Sequence, residues 1–221
     1  MLLFDDCVKM IKEDFNKFNQ SVLDNLHKLS TGRDNYKNIL FIQTINLCKE
    51  LVYLIENYQF LSTSIVLRSA LESYLKLIDV VKNGDDGVNR ILVSDIAEKE
   101  KLLKSGLINS EVDGKALSIY LEQFKKEKEE YQNKINNGDK VFKLTNQANN
   151  HSKNMLSAVM LYSKYTHSTL SMLQQLYVKD DDKLIFQPCI TDEYKWQYLG
   201  TLQKIISELR DIYNEHMAPI L

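Results

Sequence analysis

The sequence predicts an all-α protein, a single helical bundle with a charged helical insert, and three observations predict it. Only 7 of the 221 residues are Gly and 2 are Pro, too few for the many tight turns of a β-sandwich or barrel. Apolar residues recur at spacings of three and four along most of the chain, the period of an amphipathic helix. The length is enough to bury a full core, so neither a disulfide nor a metal is needed to hold the chain together.

The first predicted helix starts at Phe4, with Val8, Ile11, Phe15, Phe18, Val22, Leu26 and Leu29 on one face and Lys, Glu, Asp and Asn between them. Ser30-Thr31-Gly32 ends it, and Asp34 is placed to cap a second helix carrying Ile39, Ile42, Ile45, Leu47, Leu51, Leu54 and Ile55. The apolar content of that second helix puts it at the centre. The pattern is interrupted from Tyr58 to Ser64 and resumes as a third helix from Ile65 to Val81, closed by the Gly/Asp cluster at 82–87. Val88 to Lys104 and Glu111 to Asn136 read as two polar helices forming the insert, residues 84–138, within a single domain of 1–221. Their alternating signs fit a solvated hairpin better than a nucleic-acid-binding arm. Asn137 to Lys153 is Asn-rich and reads as loop. A helix from Asn154 to Tyr177 carries Met155, Val159, Tyr162, Thr166, Leu170 and Leu173; an extended link through Pro188 leads to a last helix, capped by Thr191 or Asp192, that runs through Trp196, Leu199, Leu202, Ile205, Leu209 and Ile212.

Charge and composition narrow the function classes. Lys plus Arg is 28 against 30 for Asp plus Glu, a net charge of −2, so there is no general electrostatic reason to coat nucleic acid. Cys7, Cys48 and Cys189 are odd in number and widely spaced, which suits buried thiols in a reducing compartment and not a zinc site. The start, MLLFDDCVKM, carries acids where a signal peptide carries a basic segment. No apolar run approaches the roughly 18 residues of a membrane span. The expectation is a cytoplasmic protein with no membrane contact. His27, His151, His167 and His216 are scattered with no paired spacing, so no metal and no cofactor is expected. No glycine loop is present to cradle a phosphate.

Three sets of residues could carry chemistry. Arg68 and Glu72 lie four apart on a helix beside the stripe of Leu67, Leu71, Tyr74 and Ile78, where a buried Arg requires a partner. They are either a structural ion pair or an Arg oriented toward an anionic ligand such as a phosphate. Ser163, His167 and Ser171 share one helix face beside Tyr162 and Tyr165; Ser and His can hydrogen-bond there, but the elbow and oxyanion donors of a hydrolase triad are missing. Arg210 and His216 stand six apart, about 120° around a continuing helix. An Arg on a phosphate and a neutral His taking a proton from a ribose 2′-OH is the pairing that metal-independent RNA cleavage needs. Chance spacing in a polar helical tail is the competing explanation.

LRSALESYLKL, with Arg68 and Glu72, followed by YSKYTHS, with Ser163, Tyr165, His167 and Ser168, resembles a bacterial all-helical family of unknown function. That family pairs Arg-x-x-x-Glu with a later Ser-x-Tyr-x-His-x-Ser-like motif, an extended Pro-containing link and a final helix. It is similar in turn to the HEPN superfamily, many of whose members are dimeric, metal-independent ribonucleases of toxin and phage-defence systems with an Arg-x(4–6)-His motif. Arg210 to His216 satisfies that spacing, whereas Ser163 stands where the superfamily's Arg precedes its His. The resemblance therefore implies that a catalytic His167 takes its Arg from elsewhere, and Arg68 is the candidate.

The expected function is a HEPN-like bundle acting on RNA or a nucleotide in a bacterial defence or toxin setting, with Arg68, Glu72 and His167, or Arg210 and His216, as catalytic residues. Ser163, Tyr165 and Ser168 are the expected binding residues, and a homodimer or a partner protein is the expected assembly. The alternative is a non-enzymatic adaptor or antitoxin-like bundle in which the same residues hold helices together.

Overall fold

A computed structural model describes residues 3–25, 35–105, 114–166 and 191–217. Among them the structure is all-α, with eight α-helices and no strand: α1 (Phe4–Asp24), α2 (Tyr36–Glu56), α3 (Phe60–Asn83), α4 (Asp85–Lys104), α5 (Gly114–Lys134), α6 (Leu144–His151), α7 (Lys153–Thr166) and α8 (Asp192–Ile212), which runs into a π-helical turn (Tyr213–Met217). The described contacts divide the chain into two compact units, Met1–Leu75 with Ala148–Leu221, and Lys76–Gln147.

In the first unit α1 buries Val8, Phe15, Phe18 and Val22, the positions its sequence period selects. The Ser30-Thr31-Gly32 stop and Asp34 lie outside the described residues. The cap seen on α2 is Asn35, whose side chain accepts from the Asn38 N–H at 3.3 Å. By length and composition α2 is apolar enough to cross a membrane, with a mean hydropathy of 1.3 and half of that span buried. That average admits Lys49 and Glu50, which interrupt any continuous apolar run, and a helix buried in a protein core meets the same measure. Phe41, Cys48 and Leu51 of α2 are fully buried, and Phe41 stacks on Tyr213 at 5.9 Å.

The break after α2 is shorter than its sequence suggests. Tyr58 takes φ of 56°, its N–H donates to the Ile55 carbonyl at 3.1 Å and the Gln59 N–H donates to that of Leu54 at 2.9 Å, the Schellman closure usually given to glycine. Here α3 begins at Phe60, not Ile65. Thr63 and Ser64, read as part of an interruption, are fully buried helix residues whose hydroxyls donate one turn back to the carbonyls of Gln59 and Phe60.

The second unit corrects the expected 82–87 break in the same way. Gly84 alone separates α3 from α4, with φ of 52°, and Asp85 and Asp86 occupy the first turn of α4, where the helix dipole favours acids. Gly87 is a helix residue: a Cβ there would lie 2.5 Å from the Asp79 carbonyl oxygen, so glycine is what lets α4 pack so closely on α3. Beside it, Arg90 grips Asp79 with two bonds, Nε to Oδ2 at 3.0 Å and Nη2 to Oδ1 at 2.8 Å, with both side chains sealed from solvent. Arg90 also donates to the Asn137 carbonyl at 3.0 Å. Asp86 accepts from the Asn136 and Asn137 N–H groups, and the first of these is the largest cause of its carboxyl lying below the ordinary range. On α4 and α5 the alternating charges form ion pairs such as Glu100 with Lys128 at 3.2 Å and Glu122 with Lys126 at 2.9 Å. The Asn-rich stretch read as loop contains α6, anchored by the fully buried Ala148.

A sealed ion pair that loses one partner leaves an uncompensated charge, at about 3–5 kcal/mol. Asp79→Ala should lower stability by that order in urea unfolding, and the double variant with Arg90→Met should recover most of the loss. An Asp79→Ala cost below about 1 kcal/mol would show that the pair does not hold the unit together.

Candidate functional site

The geometry of α3 places Arg68 and Glu72 on adjacent turns, and they pair, Nη1 to Oε2 at 3.0 Å. The second tie comes from α7: Arg68 Nε donates to Ser163 Oγ at 3.0 Å across 95 positions of sequence. Ser163 spends its own proton on the Val159 carbonyl at 2.7 Å, which leaves its lone pairs to accept from Arg68. Two ties hold the plane of the guanidinium, and the side chain remains 23% exposed. A guanidinium carries N–H donors on three nitrogens, and among the described residues Nη2 makes no bond, an edge with the geometry to meet a phosphate or carboxylate.

Of the other expected site residues, Tyr165 lies within α7, while His167 and Ser168 lie outside the described residues, as do Ser171 and Cys189. Arg210 turns to α1: Nη2 meets Asp14 Oδ2 at 2.7 Å and the guanidinium sits over the Phe18 ring at 5.6 Å. The α-helix carrying it stops at Ile212, so the angle expected for a continuing α-helix does not apply to His216. His216 sits in the π-helical turn with Nε2 3.6 Å from Glu215, and its carbonyl accepts from Lys37 at 3.0 Å. Met217, at the end of that turn, is buried. Of the thiols, Cys7 is partly exposed, while Cys48 is buried and its thiol is pushed up to about 12 by loss of water.

A second polar cluster joins residues far apart in the sequence. His151, the last residue of α6, brings Nε2 to 2.9 Å from Glu208 Oε2 on α8 and to 3.3 Å from the Tyr74 hydroxyl on α3. The Tyr74 ring meets the imidazole edge-on at 5.7 Å. Lys204 lies 3.8 Å from the other Glu208 oxygen and donates to Ser152 Oγ at 3.3 Å, while Ser152 accepts from the Met155 N–H at the start of α7. Burial first, and the charge of Asp211 second, push the Glu208 carboxyl up to about 7. Such a group exchanges its proton near neutral pH, the range in which general acids and bases work. The one sequence hint was Tyr74 itself: a tyrosine in a buried stripe requires a partner for its hydroxyl.

Among the described residues no three His, Cys, Asp or Glu side chains converge as metal ligands. A family model described as a family of unknown function, DUF5677, matches residues 34–184. That span includes Arg68, Glu72, His151 and Ser163 and stops before Glu208, Arg210 and His216. No curated protein and no solved structure matches the chain.

The Glu208 shift has a definite sign. Its folded value lies above its unfolded one, so the unfolded chain ionises first as pH rises, and stability falls between the ordinary carboxylate range and about 7. Glu208→Gln, which mimics the protonated acid, should therefore match the wild type in Tm near pH 4 and exceed it at pH 7.5. Equal Tm values at both pH values would remove the shift.

Proposed function

The chain belongs to the DUF5677 family of unknown function, and from that premise we propose that it is a HEPN-like bundle acting on RNA or a nucleotide phosphate in the bacterial cytoplasm, within a defence or toxin system. The observation that carries the reading is Arg68. A guanidinium tied by Glu72 and Ser163, with an edge toward solvent, is pre-set to receive a phosphate without first losing side-chain freedom. Ser163 precedes His167 by four residues, so the tie brings Arg68 to the first residue of the Ser163-Lys164-Tyr165-Thr166-His167-Ser168 segment.

In this reading Arg68 neutralises the scissile phosphate and Glu72 orients Arg68. Neutral His167 takes the proton of a ribose 2′-OH, the 2′-oxygen attacks phosphorus, and the 5′-oxygen leaves and takes up a proton. The products are a 2′,3′-cyclic phosphate and a 5′-hydroxyl, and no metal takes part. Tyr165 and Ser168 contribute hydrogen bonds to the bound strand, Ser163 acts on it through the Arg68 that it holds, and Arg210 with His216 is the second Arg–His pair for the same work.

One observation favours the non-enzymatic reading, an adaptor or antitoxin-like bundle. The bonds that orient Arg68 also join α3 to α7, and no buried side-chain nitrogen or oxygen among the described residues is left without a partner. A purely architectural Arg68 satisfies the same geometry.

Incubation with total RNA in the presence of a metal chelator separates the two. The wild type should cleave to cyclic-phosphate ends; His167→Ala should lose about 10²- to 10⁴-fold in rate, the usual worth of a general base, with Tm nearly unchanged. Loss with His216→Ala instead would move the centre to the Arg210 pair. Intact RNA with the wild type, together with a collapse of Tm in Arg68→Ala, would establish the architectural reading.

A further inference from the structure

Two Asn-Gly pairs occur in the second unit, Asn83-Gly84 and Asn137-Gly138, and Asp follows each of them. At such a pair a chain can attack itself: the glycine nitrogen closes on the asparagine Cγ because glycine has no side chain to stand in the way, and Asn is accordingly among the thermolabile residues. Neither the local sequence nor exposure separates the two, since both asparagines are exposed. Hydrogen bonding does.

Asn83 is the last residue of α3, and both of its reacting groups are engaged. The Gly84 N–H donates to the Val80 carbonyl at 2.9 Å, and Asn83 Nδ2 donates to Asp79 Oδ1 at 2.7 Å, on the carboxylate that Arg90 grips. The nitrogen reaches Cγ only when this helix end opens. Asn137 stands in the stretch between α5 and α6, where the anchors fall on other atoms. Its N–H donates to Asp86 Oδ2 at 3.0 Å and its carbonyl accepts from Arg90 at 3.0 Å. The Gly138 N–H, which is the attacking group, makes no hydrogen bond among the described residues. Gly138 takes φ of 78°, and beyond its chain neighbours a Cβ there would meet one atom within 4 Å, Arg90 Nη1 at 3.7 Å. The peptide therefore has room to swing toward the Asn137 side chain.

We propose that Asn137 is a site of spontaneous deamidation in the folded chain, and that the hydrogen bonds at the end of α3 shield Asn83. The Gly138 nitrogen loses its proton to solvent and bonds to Asn137 Cγ, and the Cγ–Nδ2 bond breaks with release of ammonia. Water then opens the cyclic imide at either carbonyl. Opening at Cγ leaves an aspartate at this position; opening at the main-chain carbonyl leaves an isoaspartate, in which the oxygen that Arg90 holds belongs to a free carboxylate and no longer to the backbone. Either product replaces an amide close to Asp86 with an anion, and the repulsion loosens the loop that Asp86 and Arg90 tie down. None of the residues of the Arg68 reading takes part.

The full chain is held at mildly alkaline pH below its Tm, and peptide mass spectrometry follows the change of amide to acid at both positions. Conversion at 137 should be at least about tenfold faster than at 83, because the latter waits on local opening. In guanidinium chloride, where α3 is unfolded, the two should convert at similar rates. Asn137→Gln keeps the main-chain bonds and would need a larger ring, so it should remain an amide, and its Tm should be the same before and after incubation while that of the wild type falls. Equal rates in the folded chain, faster conversion at 83, or no conversion at 137 in the time the unfolded chain converts fully would each overturn the proposal. A difference that persists in guanidinium chloride would overturn the shielding by α3, and an unchanged Tm at full conversion would overturn the loosening of the loop.

Discussion

A polar atom taken out of water must find a partner, and this requirement falls hardest on α3. Leu67, Ala70, Leu71, Tyr74, Leu75 and Leu77 have no exposed surface, so most sides of the helix are covered. Polar groups nevertheless occur along it, and each answers to a different neighbour. Ser64 meets Tyr198 of α8 at 2.7 Å, Arg68 meets Ser163 of α7, Ser73 meets Thr44 of α2 at 2.9 Å, Tyr74 meets His151 of α6, and Asp79 meets Arg90 of α4. Apolar burial supplies the drive to pack, but it is nearly indifferent to which apolar helix docks where. Unmatched buried polar groups are not indifferent, since each costs about 1–3 kcal/mol. The polar positions of α3 therefore select its neighbours, within each unit, from packings the apolar pattern alone would allow.

The two arginines of α3 and α4 show how exposure divides architecture from chemistry. Arg90 is 5% exposed against a fully covered Asp79, so nothing from solvent can use it. Arg68 has the same kind of carboxylate partner but keeps an open edge, and its Glu72 is 36% exposed. The tie to Ser163 fixes where that edge stands. Glu208 represents a third condition: burial first, and the charge of Asp211 second, raise its carboxyl to about 7, although His151 and Lys204 stand beside it. These environments, more than residue type, decide which charged groups can act on a ligand.

Much of the fold was legible because helical period survives in sequence. Phe15, Phe18 and Val22 in α1, and Leu202, Ile205 and Leu209 in α8, are buried where spacing puts them. What escaped has physical causes. Thr63 and Ser64 looked like a break because hydroxyls usually compete with helix formation, and here they bond one turn back and are buried. Gly87 looked like a loop residue because its role is close approach to the Asp79 carbonyl, a tertiary fact. In α6, the Asn residues have poor helix propensity, which tertiary anchoring through Ala148 and His151 overrides. Of the candidate site, the Arg68–Glu72 pair was visible through its i,i+4 spacing, and Ser163 through its place on a polar face. The pairing of Arg68 with Ser163, and of His151 with Tyr74 and Glu208, spans distances that no local pattern encodes.

Whether α3's polar contacts are energetic and not incidental is read most directly at the Arg68–Ser163 tie, where packing and site coincide. A double-mutant cycle with Arg68→Met and Ser163→Ala, followed by urea unfolding, reads the coupling directly. A coupling of about 0.5–3 kcal/mol is the predicted result, and changes that add within about 0.3–0.5 kcal/mol would contradict it.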